Sequence, residues 1–107
     1  MKLLLDENLP TRLKSEIPNQ TVFSVADMNW NGKKNGELLA LLIENNFDAL
    51  ITFDKYIQYQ QNFSEYKFPI LVLNAKDNTF ATLSLFSAKI IDILDKPLLP
   101  GIIGICE

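Results

Sequence analysis

Three carboxylates stand where chemistry could be done. Asp6 directly follows the apolar run Lys2–Leu5, and Asp54 follows a second one, Ala49–Phe53. A single acid after a strand reads as a helix cap, but the same placement at two separate strands is a repeated arrangement. Glu37 is the third candidate, in the first turn of a helix expected from Asn35 to about Asn45. Oxygen donors of this kind suit magnesium or manganese, hard cations that offset the mutual repulsion of carboxylates. An ion held there activates water toward a phosphodiester. Each acid also has a structural role open to it: Asp6 or Asn8 as cap of the first helix, Asp54 as cap of a short later one, Glu37 as partner of a helix dipole.

Composition narrows the chemistry further. The 107 residues include no histidine, which removes imidazole bases, Ser-His and Cys-His catalysis and most zinc sites. The formal charge of -3 argues against a broad non-specific grip on nucleic acid. A local basic rim is still available, because Lys33 and Lys34 precede Glu37, Lys55 follows Asp54, and Arg12 and Lys14 follow Asp6. The lone cysteine, Cys106, has no partner for an internal disulfide and is expected to pack as a small residue in a terminal strand. No apolar run is long enough to span a membrane, and Asp6 and Glu7 interrupt the N-terminus before a signal-peptide core forms, so a cytoplasmic protein is expected.

The elements that must position these acids follow from periodicity. Lys2–Leu5, Thr21–Val25, Ala49–Phe53, Pro69–Leu73 and Ile102–Cys106 read as strands. Leu9, Leu13 and Ile17 recur at helical spacing up to Pro18. A loop holding Gly32 leads to Asn35, taken as the N-cap of the second helix, and Tyr56 to Asn62 reads as a short one. Leu83, Phe86, Ile90 and Leu94 mark a long amphipathic helix before Pro97. Helices alternating with continuously apolar strands predict one α/β domain over residues 1–107, three-layered, with a mainly parallel sheet of about five strands. In such sheets the functional crevice lies outside the carboxyl ends of the strands, which is where Asp6 and Asp54 fall.

The segments MKLLLDENLP, NGELLALLIENNFDALITFDK, YQQN and PILVLNAK together resemble the short PIN-like proteins, a family that includes toxin components of bacterial toxin-antitoxin pairs. The resemblance extends over most of the chain. It implies a reduced PIN-type nuclease fold, RNA as substrate, a metal-dependent endoribonuclease activity with Mg2+ or Mn2+, and a small antitoxin as partner. Carried over by position, Asp6, Glu37 and Asp54 match its acidic set. Asn8, Lys33, Lys34 and Lys55 are then expected to hold substrate. Larger PIN nucleases use a fourth acid late in the domain; the candidate here, Asp77, sits in Lys76-Asp77-Asn78-Thr79, where a turn role is favoured.

Two other readings compete. A phosphoryl-accepting receiver domain also places acids after strands one and three, but needs a lysine ending strand five and a hydroxyl after strand four, where this chain has Gly104-Ile105-Cys106-Glu107 and Asn74. A catalytically inactive PIN-like binding module would keep the fold and pair with a protein. Phe53, Phe63 and Phe68 are assigned to the core, Tyr56 and Tyr59 to a partly exposed surface. The oligomeric state is open, a homodimer included.

Overall fold

The chain alternates strand and helix because its apolar residues come in short unbroken runs separated by amphipathic stretches. The computed structural model describes residues 1–54 and 68–106. Its five strands, β1 (Lys2–Leu5), β2 (Thr21–Ser24), β3 (Ala49–Thr52), β4 (Pro69–Asn74) and β5 (Gly101–Cys106), form one sheet in the order β2-β1-β3-β4-β5. Every pairing is parallel, with Leu5 opposite Ile51 and Ile51 opposite Leu71. The predicted α/β class and strand count are therefore found. The helix expected at Tyr56–Asn62, and Lys55, Phe63 and Tyr59 with it, lie outside the described residues.

Over the central strands both faces of the sheet are covered, as is characteristic of a parallel sheet. On one face Leu3, Leu5, Ile51, Leu71 and Leu73 pack under Leu9 and Leu13, and under Leu83, Phe86, Ile90 and Leu94. On the other, Leu4, Leu50, Ile70 and Val72 pack under Leu38, Leu39 and Leu42 of α1 (Asn35–Glu44). Alternate residues of each central strand thus go to opposite cores, which is why the strands read as unbroken apolar runs.

Three helical expectations need correction. The segment after β1 winds as a 3-10 helix over Thr11–Glu16; its first turn follows Pro10, and Leu13 alone of its residues is buried. The N-cap of α1 is Lys34, in extended conformation, so Asn35 is already helical. The long amphipathic stretch is broken into α2 (Phe80–Leu83), a 3-10 turn at Ser84–Phe86, and α3 (Ser87–Leu94). The Ser84 and Ser87 hydroxyls donate to the Ala81 and Ser84 carbonyls, local bonds that compete with regular helix there.

α1 stops through backbone geometry. Asn46 takes a φ of 61°, its N–H reaches the Ile43 carbonyl, and the Phe47 N–H reaches that of Leu42. Phe47 and Leu42 then meet in the same core, completing a Schellman ending that turns the chain back into β3.

The connections β2 to β3 and β4 to β5 step in the same direction across the sheet, yet α1 crosses one face and α2–α3 the other. The two crossovers therefore have opposite hands, and one departs from the right-handed rule. The result is that α2 lies beside the 3-10 helix, and Asn78 donates to the Asn8 carbonyl at 2.9 Å. Cys106 departs from expectation too: it is exposed, because it shares the strand face of Ile102 and Gly104, which no described helix covers.

Phe86 is fully buried where α3 meets the sheet, whereas its neighbour Leu85 is 61% exposed. Phe86→Ala should lower stability by about 3–5 kcal/mol, while Leu85→Ala should cost no more than about 0.5 kcal/mol. Urea unfolding of the two variants measures the contrast.

Candidate functional site

The residue after a buried strand is the first that can be polar, so parallel strands deliver their polar ends to one edge. Asp6 follows β1 and Asp54 lies two residues past β3, and these strands are neighbours. The Asp6 N–H donates to the Ile51 carbonyl at 3.0 Å, extending the ladder one step beyond β1. Between β1 and β3 the strand order reverses direction, because β2 lies on one side and β4 on the other. That is the topological switch point at which open α/β sheets bind ligands.

Thr52, fully buried at the end of β3, joins the two acids. Its hydroxyl donates to Asp6 Oδ2 at 2.7 Å and accepts from the Asp54 N–H at 3.0 Å. Asp6 Oδ1 accepts from the Glu7 N–H at 2.9 Å, so Asp6 does not cap the 3-10 helix, whose N-cap Pro10 has no side-chain bond. Burial pushes the Asp6 carboxyl above its usual range; the Thr52 hydroxyl and the Glu7 N–H oppose this, and the charges of Glu7 and Asp54 add to it. Asp54 therefore stands near enough for its charge to be felt at Asp6.

Glu37 reaches the same edge by topology. A helix between two parallel strands runs back against them, so α1 begins at the carboxyl end of the sheet, with Glu37 exposed in its first turn. The loop before it is tied to the first acid's neighbour, since the Gly32 N–H donates to Glu7 Oε2 at 3.3 Å. Gly32 has a φ of 80°, which a side chain would strain, and it carries the exposed Lys33 and Lys34 directly after it.

Not every candidate gathers at this point. Among the described residues, no three carboxylates or thiols stand close enough to hold one ion, so Glu37 shares the edge without joining Asp6 and Asp54 in a cluster. The donor set suits a hard cation in kind, being carboxylate oxygens. Asn8 is half-buried, its Oδ1 enclosed with no hydrogen-bond partner. Asp77 belongs to its turn: Oδ1 accepts from the Thr79 N–H and hydroxyl, and the Thr79 hydroxyl holds the carboxyl below its usual range. Two cations near Asp6 in sequence are engaged elsewhere, Lys14 with Asp27 and Arg12 over the Phe80 ring at 4.2 Å. A cavity of about 450 Å³ lies between α3 and β5, lined by Lys89, Asp92 and Cys106 among others; it holds one acid and is two strands from Asp54.

Thr52 was not among the residues singled out by sequence. The signal for Thr52 was present, a hydroxyl closing an otherwise apolar buried strand. A scan against protein-family models, a search of curated proteins and a search of solved structures each find no match. Fold and site together define an α/β domain with a five-stranded parallel sheet and an acidic pair at its central switch point.

The raised Asp6 fixes a sign for pH dependence. Between the usual carboxylate value and the raised one, the folded protein keeps a proton that the unfolded chain has lost, so stability falls as pH rises through this window. Asp6→Asn removes the effect. Urea unfolding from pH 3.5 to 7 should show the variant gaining on the wild type as pH rises, then a constant difference.

Proposed function

We propose that this chain is a small metal-dependent ribonuclease of the PIN-like type, acting on RNA and paired with a small antitoxin protein. The observation that carries the reading is the Thr52-joined pair of Asp6 and Asp54 at the β1–β3 switch point. The resemblance of the DENLP and FDALITFDK segments to PIN-like proteins supports it. Asp6 and Asp54 hold magnesium or manganese in this proposal, and Glu37, at the start of α1, adds negative charge to the same edge without joining the pair. The ion when bound supplies Lewis acidity toward a phosphate oxygen and makes water more acidic.

The remaining work falls to the chain. Burial lowers the local dielectric around Asp6 and so strengthens its attraction for a cation. Lys33 and Lys34, exposed at the same edge, and Lys55 next to Asp54 in sequence take phosphate contacts, and Asn8 offers its amide to the substrate. A protein of net charge -3 makes few such contacts.

The strand order gives the phosphoacceptor reading one specific point in its favour, since receiver domains share it. Against it, Asn74 ends β4 and Cys106 ends β5, where a hydroxyl and a lysine would be needed. Labelling of Asp54 by acetyl phosphate would favour that alternative.

Purified protein should cleave RNA with magnesium or manganese, and Asp6→Asn and Asp54→Asn should each abolish cleavage while keeping the fold. Equal activity in wild type and both variants would overturn the site. Millimolar manganese should raise the melting temperature of the wild type but not of the Asp6→Asn, Glu37→Gln, Asp54→Asn triple variant. For binding, the salt dependence should correspond to roughly two to four released counterions. Changing Lys33, Lys34 and Lys55 to glutamine should weaken affinity and flatten that slope; an unchanged slope would mean that RNA tracks over another surface.

A further inference from the structure

Thr52 is the one hydroxyl in β3, a strand whose four residues are all buried. An apolar side chain would suit that position as well for packing, and a buried hydroxyl is costly unless its hydrogen bonds are made. Here both are made, and both go to the acidic pair. The single hydroxyl proton is given to Asp6 Oδ2, and a lone pair receives the Asp54 N–H. One side chain thus connects the carboxylate at the end of β1 with the backbone of the turn that carries the second acid.

This arrangement is directional. Because the hydroxyl has only one proton and spends it on Asp6, that carboxylate oxygen is fixed as an acceptor toward Thr52. Glu7 N–H fixes the other oxygen at 2.9 Å, so the Asp6 carboxylate is held at both ends and its rotation is stopped. The Asp54 N–H is fixed in the same way relative to β3. Removing the hydroxyl frees the Asp6 carboxylate at one end and the Asp54 turn at its root, without touching either acid.

We infer that Thr52 is the positioning residue of the acidic pair, orienting Asp6 and the Asp54 turn toward each other and setting how tightly the pair holds a divalent cation. The inference rests on reading Asp6 and Asp54 as a cation site. Groups that orient metal ligands in this way typically change metal affinity by roughly 10–100-fold when removed.

Manganese titration followed by the electron paramagnetic resonance of the free ion tests it, on wild type, Thr52→Val and Thr52→Ser. Thr52→Val should bind manganese roughly 10–100-fold more weakly, and Thr52→Ser, which restores the hydroxyl, should bind like the wild type. Amide exchange in the metal-free proteins gives an independent readout: the Asp54 N–H should lose protection in Thr52→Val and keep it in Thr52→Ser. If Thr52→Val does not fold, Thr52→Ala takes its place in both measurements. Equal manganese affinity in wild type and Thr52→Val would overturn the role of Thr52 and leave the cation site standing. Loss of affinity in Thr52→Ser equal to that in Thr52→Val would overturn it also, because packing rather than the hydroxyl would then be responsible. No manganese binding by the wild type would overturn the cation site and the inference together.

Discussion

Burying a parallel sheet on both faces is the constraint from which the rest of this structure follows. β1 and β3 sit in the middle of the sheet, and Leu3, Leu4, Leu5, Ala49, Leu50 and Ile51 are all shielded from solvent. Polar chemistry is excluded along such strands and must wait until the chain leaves them. In a parallel sheet every strand leaves at the same edge. Asp6, Asp54 and the polar turn after Asn74 are therefore brought to one side of the molecule by backbone direction, before any side-chain interaction is considered.

Thr52 is the exception that this constraint permits. Its hydroxyl lies inside the buried zone because two polar groups at the edge, Asp6 Oδ2 and the Asp54 N–H, reach back to satisfy it. The electrostatics of the edge are less settled than its hydrogen bonding. Asp6 is half-buried with Glu7 and Asp54 close by; burial and those charges work against its ionised form, while each of its two oxygens accepts a hydrogen bond, which an amide with one oxygen could not do. A carboxyl perturbed in this way at a switch point is a candidate functional position.

Basic residues are arranged around the pair with similar economy. Lys14 is paired with Asp27, and Arg12 lies over the Phe80 ring. Lys33 and Lys34 project from the Gly32 loop, which the Glu7 carboxylate ties down beside Asp6. The opposite hand of the β4–β5 crossover matters here as well. It sets α2 on the face of the 3-10 helix, where Asn78 pins the Asn8 carbonyl and so fixes the turn that follows Asp6.

Much of this was written in the order of the residues. Unbroken apolar runs ending in Asp6 and Asp54 implied buried parallel strands with acids at their carboxyl ends, since parallel sheets characteristically bury both faces of a strand. The broad apolar face of Leu38, Leu39, Leu41, Leu42 and Ile43 implied α1, although Ile43 is exposed, and the turn chemistry of Asp77 and Thr79 implied a turn. What the linear pattern lacked was any term that acts between distant segments. The 3-10 winding of Thr11–Glu16, the break between α2 and α3 and the exposure of Cys106 depend on which surface lies opposite, and periodicity carries no information about that. Strand order decided that Asp6 and Asp54 are neighbours, 48 positions apart in sequence, while Glu37 shares their edge without joining them. The Thr52 hydroxyl acquired its two partners only when β1 and β3 paired, because a hydrogen bond is specified by position in space and the sequence specifies position along the chain.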